Sequence, residues 1–250
     1  MYTFEKSERS LTLRPENTAG VVRSFIENGM HRLSAPVKLW YKGPMFRYER
    51  PQAGRQRQFH QVGVEVFGIK QPTADAEVIL MAINYLKALG LNDLSVELNS
   101  LGCPECRETF KTKLKEVIKP YLSQLCPDCQ ARYEKNPLRL LDCKVEECKE
   151  IYAKPEIQEV IQSDFICDEC AEHFTSLKEY LDALNINYSI NKLLVRGLDY
   201  YNRTVFEIKS NNLGSQNAVC GGGRYDSLVR NLGGNRFRNG NGKTRFTYRR

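Results

Sequence analysis

Residues 38–68 contain two segments of alternating apolar and polar residues, joined by a short loop that is rich in arginine. The segments are KLWYKGPMFRYE and RQFHQVGVEVFG, and the loop between them is RPQAGRQ. Period-two alternation is typical of a β-strand, and so short a connection joins neighbouring antiparallel strands. The sequence therefore predicts a β-hairpin and, with it, an antiparallel sheet.

The two faces of this predicted hairpin differ in chemistry. One face of the second strand carries Phe59, Gln61, Gly63 and Glu65. Valines dominate the other face, which we expect to point into the core, and Arg47 and Glu49 share a face of the first strand. A polar sheet face is commonly solvated. The arginines of the loop suit phosphate or carboxylate groups, so we instead predict a face that binds a zwitterionic or phosphorylated ligand.

The rest of the chain divides into regions of different pattern. A helix is predicted over TADAEVILMAINYLKALG, followed by the strand LSVELN. The middle region predicts helices at 104–125, 127–135 and 168–184, with a turn and a short extended piece at 135–144. The expected fold is α+β: an antiparallel sheet flanked by helices, with a mostly helical, cysteine-rich insertion. The predicted divisions are 1–100 and 186–233 for the two parts of the core, 101–185 for the insertion, and 234–250 for a tail.

The net charge of +7 comes mostly from that tail. Residues 234–250 contain six arginines and lysines and no acid, which accounts for all but +1 of the charge. A zinc-ribbon protein that binds RNA is therefore disfavoured. The tail lacks aliphatic residues and is predicted to be disordered. No run approaches ~18 apolar residues, and the N-terminus lacks the pattern of a signal peptide, so we expect a cytoplasmic protein without a membrane span.

Eight of the nine cysteines fall in four closely spaced pairs, and Cys220 stands apart. Cys103, Cys106, Cys126 and Cys129 form C-x2-C-x19-C-x2-C, a spacing typical of a structural Zn²⁺ site. The remaining pairs, Cys143/Cys148 and Cys167/Cys170, could form a second site. The alternative for all of them is a set of reduced thiols.

Four motifs, in order along the chain, resemble the histidyl-tRNA synthetases of class II. FRYERPQAGRQRQFHQ is similar to the second signature motif of class II aminoacyl-tRNA synthetases. LTLRPENTAGVVRSFI, LVRGLDYYNRTVFEI and CGGGRYDSLV resemble segments of the histidine-specific family. The resemblance covers the chain from Met1 to about Gly234. It implies ATP-dependent activation of histidine and transfer of histidine to the 3′ end of tRNA(His), with ATP used together with Mg²⁺.

The resemblance also implies roles for individual residues. The expected catalytic residues are Arg47, at the α-phosphate, and Arg196, where other class II enzymes place a metal ion. For ATP, Glu49 is expected near the adenine amino group, Arg55 near the outer phosphates and Phe59 stacked on adenine. For histidine, the expected ligands are Glu16, Thr18, Arg47, Gln61, Glu65, Arg196, Tyr200 and Tyr201. Among these, Glu65 and Tyr201 are expected to face the two nitrogens of the imidazole ring.

The chain also departs from the family pattern. Two motifs of the family are not visible: the first, which forms the homodimer interface, and the third, whose arginine clamps ATP. We therefore expect this chain not to sustain aminoacylation. The family does not depend on zinc. A second hypothesis is a non-catalytic relative that senses histidine as a regulatory subunit. Such relatives lose the RGLDYY motif, whereas Arg196, Tyr200 and Tyr201 are present here.

Overall fold

The computed structural model describes residues 1–52, 54–163, 165–195, 200–210, 212–213 and 217–234, together with the backbone of 243–249. Its first half contains β1 (Thr3–Lys6), β2 (Arg9–Thr12), α1 (Thr18–Glu27), β3 (Val37–Phe46), β4 (Gln58–Phe67), α2 (Thr73–Ala88) and β5 (Leu94–Ser100). The middle contains α3 (Pro104–Ile118), α4 (Pro127–Lys135), α5 (Glu146–Tyr152), α6 (Pro155–Gln162) and α7 (Asp168–Ala183). The last part contains β6 (Tyr188–Ile190), β7 (Asn202–Ser210), β8 (Ala218–Arg224), α8 (Leu228–Asn231) and β9 (Lys243–Arg249).

Within the described part of the chain, seven strands form one mixed sheet in the order β3-β4-β9-β8-β7-β5-β6. Every neighbouring pair is antiparallel except β5 and β6. β1 and β2 form a separate, exposed hairpin. The prediction of an α+β fold with an antiparallel sheet and flanking helices is confirmed. The helices of the described residues are too short or too polar to cross a bilayer.

Helices cover both faces of the sheet. On one face, α2 and α7 pack against alternate residues of β4, β5 and β7, including Val66, Leu98 and Phe206. On the other face, α1 and α8 pack against β3 and β4 through residues such as Phe25 and Phe67, whose rings stack with centroids 4.3 Å apart. The sequence predicted a core only on the valine face of β4. The face that carries Gln61 and Glu65 is also buried, because α1 covers it.

The middle region has its own hydrophobic cluster, which joins α3, α4, α5 and α6 through Leu114, Tyr133, Ile151 and Ile157. α7 does not belong to this cluster, because Leu177 and Leu181 pack with α2 and the sheet. The predicted helix 104–125 ends as α3 at Ile118 and continues as a 3₁₀ helix, Lys119–Gln124. The prediction of an extended piece within 135–144 is wrong, because Pro137–Asp142 is also a 3₁₀ helix.

The tail was predicted to be disordered, and for residues 243–249 that prediction is wrong. These residues form β9, which pairs with β4 on one side and β8 on the other. A segment with few apolar side chains can still join a sheet. Two neighbouring strands also offer unpaired N–H and C=O groups, and threonine and aromatic residues favour the extended backbone that pairs with them. Residues 235–242 and 250 lie outside the described residues.

A buried network of charges joins α2, α7, β7 and β8. Arg224 Nη1 donates to Asp75 Oδ1 over 2.6 Å, and both side chains are at most 1% exposed. Thr204 Oγ1 donates to Asp75 Oδ2 over 2.7 Å, and His173 Nε2 lies 2.9 Å from the same oxygen. Burial alone would lower the pKa of Arg224, but Asp75 and Asp226 outweigh it and raise that pKa. The guanidinium therefore stays charged in the interior.

We expect Asp75→Asn to destabilise the fold by about 3–5 kcal/mol, because it leaves the buried charge of Arg224 without its main partner. The measurement is the free energy of unfolding in urea. Glu77→Gln, on the same helix, is the control: its ion pair with Lys38 is about half exposed, at 48% and 46% for the two side chains, and exposed pairs contribute roughly 0–1 kcal/mol. Equal losses in the two variants would contradict a structural role for the network.

Candidate active site

The β3–β4 hairpin forms the floor of the site. Tyr41 on β3 lies opposite Gly63 on β4, and the Tyr41 hydroxyl donates to Gln61 Oε1 over 3.2 Å. A Cβ atom added to Gly63 would lie 2.4 Å from the Tyr41 ring, so glycine is required here for the ring to cross the strand. The space that this glycine leaves above the strand is filled by Tyr41, which belongs to none of the motifs quoted from the sequence.

Glu65 is the centre of the floor and is completely buried. Its Oε1 accepts a hydrogen bond from Thr18 Oγ1 over 2.7 Å, and its Oε2 accepts one from the Tyr225 hydroxyl over 2.6 Å. Thr18 is the first residue of α1, so the helix that covers the floor also anchors the carboxylate. Hydroxyl donors of this kind offset the desolvation of a buried carboxylate.

Glu16 and the tyrosines form one wall. Glu16 Oε2 accepts the N–H of Thr18 over 2.7 Å and its Oε1 accepts that of Ala19 over 3.2 Å, which satisfies free donors at the start of α1. Tyr200 OH lies 3.4 Å from Glu16 Oε2. The Tyr200 ring contacts the rings of Tyr201 and Tyr225, with centroids 5.1 and 5.9 Å away.

Tyr225, rather than Tyr201, donates to Glu65. Tyr201 is buried and packs with Leu194 and Val205. Its ring contacts that of Tyr200, which in turn contacts the ring of Tyr225. The predicted pairing of Glu65 with Tyr201 across an imidazole stays a prediction. The sequence did hold a signal for Tyr225, because in strand alternation it shares a face with Gly221 and Gly223, two glycines of the quoted motif.

The arginines gather at the open end of the floor. β3 ends at Phe46, so Arg47 and Glu49 lie in the loop and not, as predicted, on the strand. Arg47 Nε donates to the carbonyl of Pro15 over 2.7 Å, and its guanidinium lies 5.1 Å above the ring of Phe59. Glu49 joins the two arginines, with Oε1 3.8 Å from Arg47 Nη1 and Oε2 3.9 Å from Arg55 Nε.

The structure thus brings together most of the residues that the sequence analysis named. Glu16, Thr18, Glu65 and Tyr200 are joined by hydrogen bonds through Thr18 and Glu16, with Gln61 beside them on the floor. Arg47, Glu49, Arg55 and Phe59 form the second group. Arg196 lies outside the described residues, as do Gly197, Leu198 and Asp199 of its motif.

The cysteines lie apart from this site and are grouped differently from the predicted set. Cys103, Cys106, Cys167 and Cys170 form one cluster, and Cys126, Cys129, Cys143 and Cys148 form another. The predicted ligand set of Cys103, Cys106, Cys126 and Cys129 is therefore wrong. Spacing identified each local pair, but the packing of the helices decides which pairs meet. Burial raises the pKa of Cys103 to about 11 and also raises the pKa of Cys170.

The sequence was compared with models of known protein families. The sequence model of the family "tRNA synthetase class II core domain (G, H, P, S and T)" matches residues 2–249. The chain belongs to this class II synthetase family. The resemblance drawn from its motifs is therefore confirmed at the level of the family.

Individual proteins of this family are similar to the chain over most of its length. The chain is 55% identical over 235 residues to the histidine–tRNA ligase of Desulforamulus reducens, a match that covers 94% of this chain and 55% of that protein. It is 38% identical to the apo histidyl-tRNA synthetase of S. aureus, with a TM-score of 0.75, over 100% of this chain and 58% of that one. The chain thus spans little more than half the length of these relatives.

One further structure shows the fold alone. It is described as an ATP phosphoribosyltransferase regulatory subunit/histidyl-tRNA synthetase from Bacillus halodurans. It shares 23% identity with this chain, with a TM-score of 0.65, over 99% of this chain and 65% of that one. The class II core fold therefore also occurs in a protein whose description includes a regulatory subunit.

We expect Tyr225→Phe to lower stability by about 1–3 kcal/mol, because the buried Glu65 carboxylate loses a hydroxyl donor. For a chain of this size that corresponds to a fall in Tm of roughly 2–4 °C per kcal/mol. Tyr48→Phe is the matched control, since Tyr48 is 68% exposed. An unchanged Tm in Tyr225→Phe would mean that this hydrogen bond contributes nothing to the fold.

Proposed function

We propose that this site activates histidine with ATP, forming histidyl-adenylate, and that the histidine is then transferred to the 3′ end of tRNA(His). One observation carries the proposal. A fully buried carboxylate, Glu65, is held by two hydroxyl groups on the floor of a site whose open end carries arginines. An amino acid with a side chain that donates a hydrogen bond fits the first part, and ATP fits the second. The histidine–tRNA ligases among the relatives support the choice of histidine.

The floor and wall suit the two ends of histidine. An imidazole N–H needs an acceptor, and the Glu65 carboxylate is a strong one. The α-amino group carries a positive charge and suits Glu16, which lies beside Tyr200 at the start of α1. We assign Gln61 and Thr18 to the same pocket, and we retain Tyr201 as a wall residue behind Tyr200.

The open end suits the nucleotide. In the reaction, an oxygen of the histidine carboxylate attacks the α-phosphorus, a new O–P bond forms, and the bond to pyrophosphate breaks, so that pyrophosphate leaves with the electron pair. Negative charge grows on the α-phosphate oxygens, and a fixed guanidinium stabilises it. Arg47 is assigned to this charge, Arg55 to the outer phosphates and Glu49 to the adenine amino group. Arg196 keeps its predicted catalytic role.

Adenine binding would require a movement of Arg47. Its guanidinium covers the ring of Phe59, which is only 6% exposed. Stacking of adenine on Phe59 therefore needs the guanidinium to leave the ring. The α-phosphate of ATP would give it a stronger, charge-assisted partner, so we propose that ATP binding and the repositioning of Arg47 occur together.

We further propose that the chain is a catalytic core interrupted by an insertion. The separate hydrophobic cluster of α3 to α6 supports this division. The packing of α7 with α2 supports a return to the core near Cys167, earlier than the boundary at 185 that the sequence suggested. tRNA(His) as acceptor remains a prediction from the resemblance, which implies a homodimer for the intact family and not for this chain.

Glu65→Gln is expected to weaken histidine binding by about 10- to 150-fold, the equivalent of 1.5–3 kcal/mol for a hydrogen bond to a charged group. ATP binding should stay nearly unchanged. Equilibrium dialysis with each labelled ligand separates the two effects. Glu49→Gln is the reciprocal control, because it should weaken ATP and spare histidine. Equal losses of both ligands in Glu65→Gln would remove Glu65 from the side-chain pocket.

In an otherwise complete enzyme, Arg47→Ala is expected to lower histidine-dependent exchange of pyrophosphate into ATP by about 10²–10³-fold, the range for loss of one transition-state donor. Arg57→Ala is the control on the same loop, where the guanidinium lies 5.2 Å from the Tyr48 ring. An Arg47→Ala variant as active as Arg57→Ala would refute the assignment. Histidine binding without any exchange, in a chain completed with the first and third family motifs, would favour the histidine-sensing alternative.

A further inference from the structure

Eight cysteines, distant in sequence, form two compact clusters. The first, here called the junction cluster, consists of Cys103, Cys106, Cys167 and Cys170. The second, called the insertion cluster, consists of Cys126, Cys129, Cys143 and Cys148. In each cluster the four Sγ atoms lie within 4.8 Å of one another. Each cluster contains only thiols, and all but one of the eight side chains are buried or half-buried.

The spacing of the sulfur atoms fits one tetrahedral ion in each cluster. Zn–S bonds of about 2.3 Å place the sulfurs of a tetrahedral site about 3.8 Å apart. The Sγ atoms of Cys103 and Cys106 are 3.4 Å apart, and those of Cys126 and Cys143 are 3.9 Å apart. A disulfide needs about 2.05 Å and joins only two sulfurs. An iron–sulfur cluster places several irons and sulfides between the cysteines, which needs more room than a spread of 4.8 Å.

Hydrogen-bond donors and helix starts around the sulfurs would offset the cost of burying thiolate ligands. Backbone N–H groups donate to sulfur in both clusters: Cys167 to Cys106 Sγ over 3.1 Å, and Cys126 to Cys148 Sγ over 3.3 Å. Such donors orient metal ligands and stabilise their charge. In addition, Cys103, Cys126 and Cys167 each stand immediately before a helix, at the starts of α3, α4 and α7, where the helix dipole favours negative charge.

We propose that the chain binds two zinc ions, one in each cluster. The zinc of the junction cluster holds the insertion to the sheet beside Tyr200, Tyr201 and Tyr225, here called the tyrosine wall. All-thiolate tetrahedral sites hold zinc or iron, and zinc matches a purely structural position. Both clusters lie outside the proposed substrate pocket. The proposal depends only on the cysteine geometry and is independent of the proposed function.

The two ions have different structural roles. The junction cluster joins the start of α3 to the start of α7, where the chain leaves the sheet and returns to it. Two residues adjacent to the cysteines of α3, Gly102 and Arg107, contact the segment that follows Tyr200. Arg107 Nη1 donates to the carbonyl of Tyr201 over 2.8 Å, and the N–H of Arg203 donates to the carbonyl of Gly102 over 2.7 Å. Arg203 also pairs with Glu169 of α7 over 2.6 Å. Loss of this ion should therefore loosen residues 200–206.

The insertion cluster is confined to the insertion. Cys129, Cys143 and Cys148 belong to the hydrophobic cluster of α3 to α6, together with Leu125 and Tyr133. The N–H of Cys126, at the start of α4, donates to Cys148 Sγ in α5, so this cluster joins two helices of the insertion. Loss of this ion should loosen α4 and α5 and leave the tyrosine wall unchanged.

Metal analysis of the full 250-residue chain, produced in zinc-supplemented medium, tests the proposal directly. The expected content is two zinc ions per chain, released by a thiol-blocking mercurial. The stripped chain should then bind two equivalents of Co²⁺, with the thiolate-to-cobalt absorption of tetrahedral sites. No zinc, iron in place of zinc, or disulfides formed in the untreated chain would overturn both sites, and one zinc per chain would overturn the proposal of two.

Single substitutions separate the two sites. Cys103→Ser and Cys143→Ser should each retain one zinc, and Cys220→Ala, in β8 outside both clusters, should retain two. Hydrogen–deuterium exchange followed by mass spectrometry then reports the roles. Uptake at residues 200–206 should rise in Cys103→Ser and stay unchanged in Cys143→Ser. If a variant does not fold, the unaltered chain, stripped of both ions and then reloaded, still tests whether zinc holds residues 200–206. Equal uptake at 200–206 with and without zinc would overturn the positioning role.

Discussion

The buried contact between Asp75 and Arg224 is the interaction on which the rest of the structure depends. One carboxylate on α2 accepts hydrogen bonds from β7 and β8 and from His173 on α7, so four elements are fixed by a single side chain. Neither charge could remain in the interior without the other. The helices behind the sheet are therefore locked to the strands that carry the site.

This network bears directly on the candidate active site because Arg224 and Tyr225 are neighbours in the chain. Successive residues of an extended segment point to opposite faces. Arg224 reaches back to Asp75, and Tyr225 reaches forward to Glu65 on the other face. The position of the Glu65 donor is thus set by a charge pair on the far side of the sheet. On the near side, α1 completes the arrangement by presenting Thr18 to the same carboxylate.

The insertion is held together differently from the sheet and its helices. Its small hydrophobic cluster includes cysteines as well as leucines and isoleucines. The two four-cysteine clusters lie at its base and within it, so metal ligation would supply cross-links between helices that are short and weakly apolar. The junction cluster sits where both ends of the insertion meet the sheet, and it is the one with contacts to the tyrosine wall.

The sequence alone determined the hairpin, the polar face with Gln61 and Glu65, the helix over residues 73–88 and the family, because alternation, helical spacing and short motifs are local properties of the chain. It also identified every cysteine pair. The tertiary structure alone decided which cysteine pairs meet, that Tyr225 holds Glu65, that Tyr41 fills the space above Gly63, and that residues 243–249 form a strand within the sheet. These contacts join residues far apart in the chain, and they depend on strand register and helix packing, which no local pattern encodes.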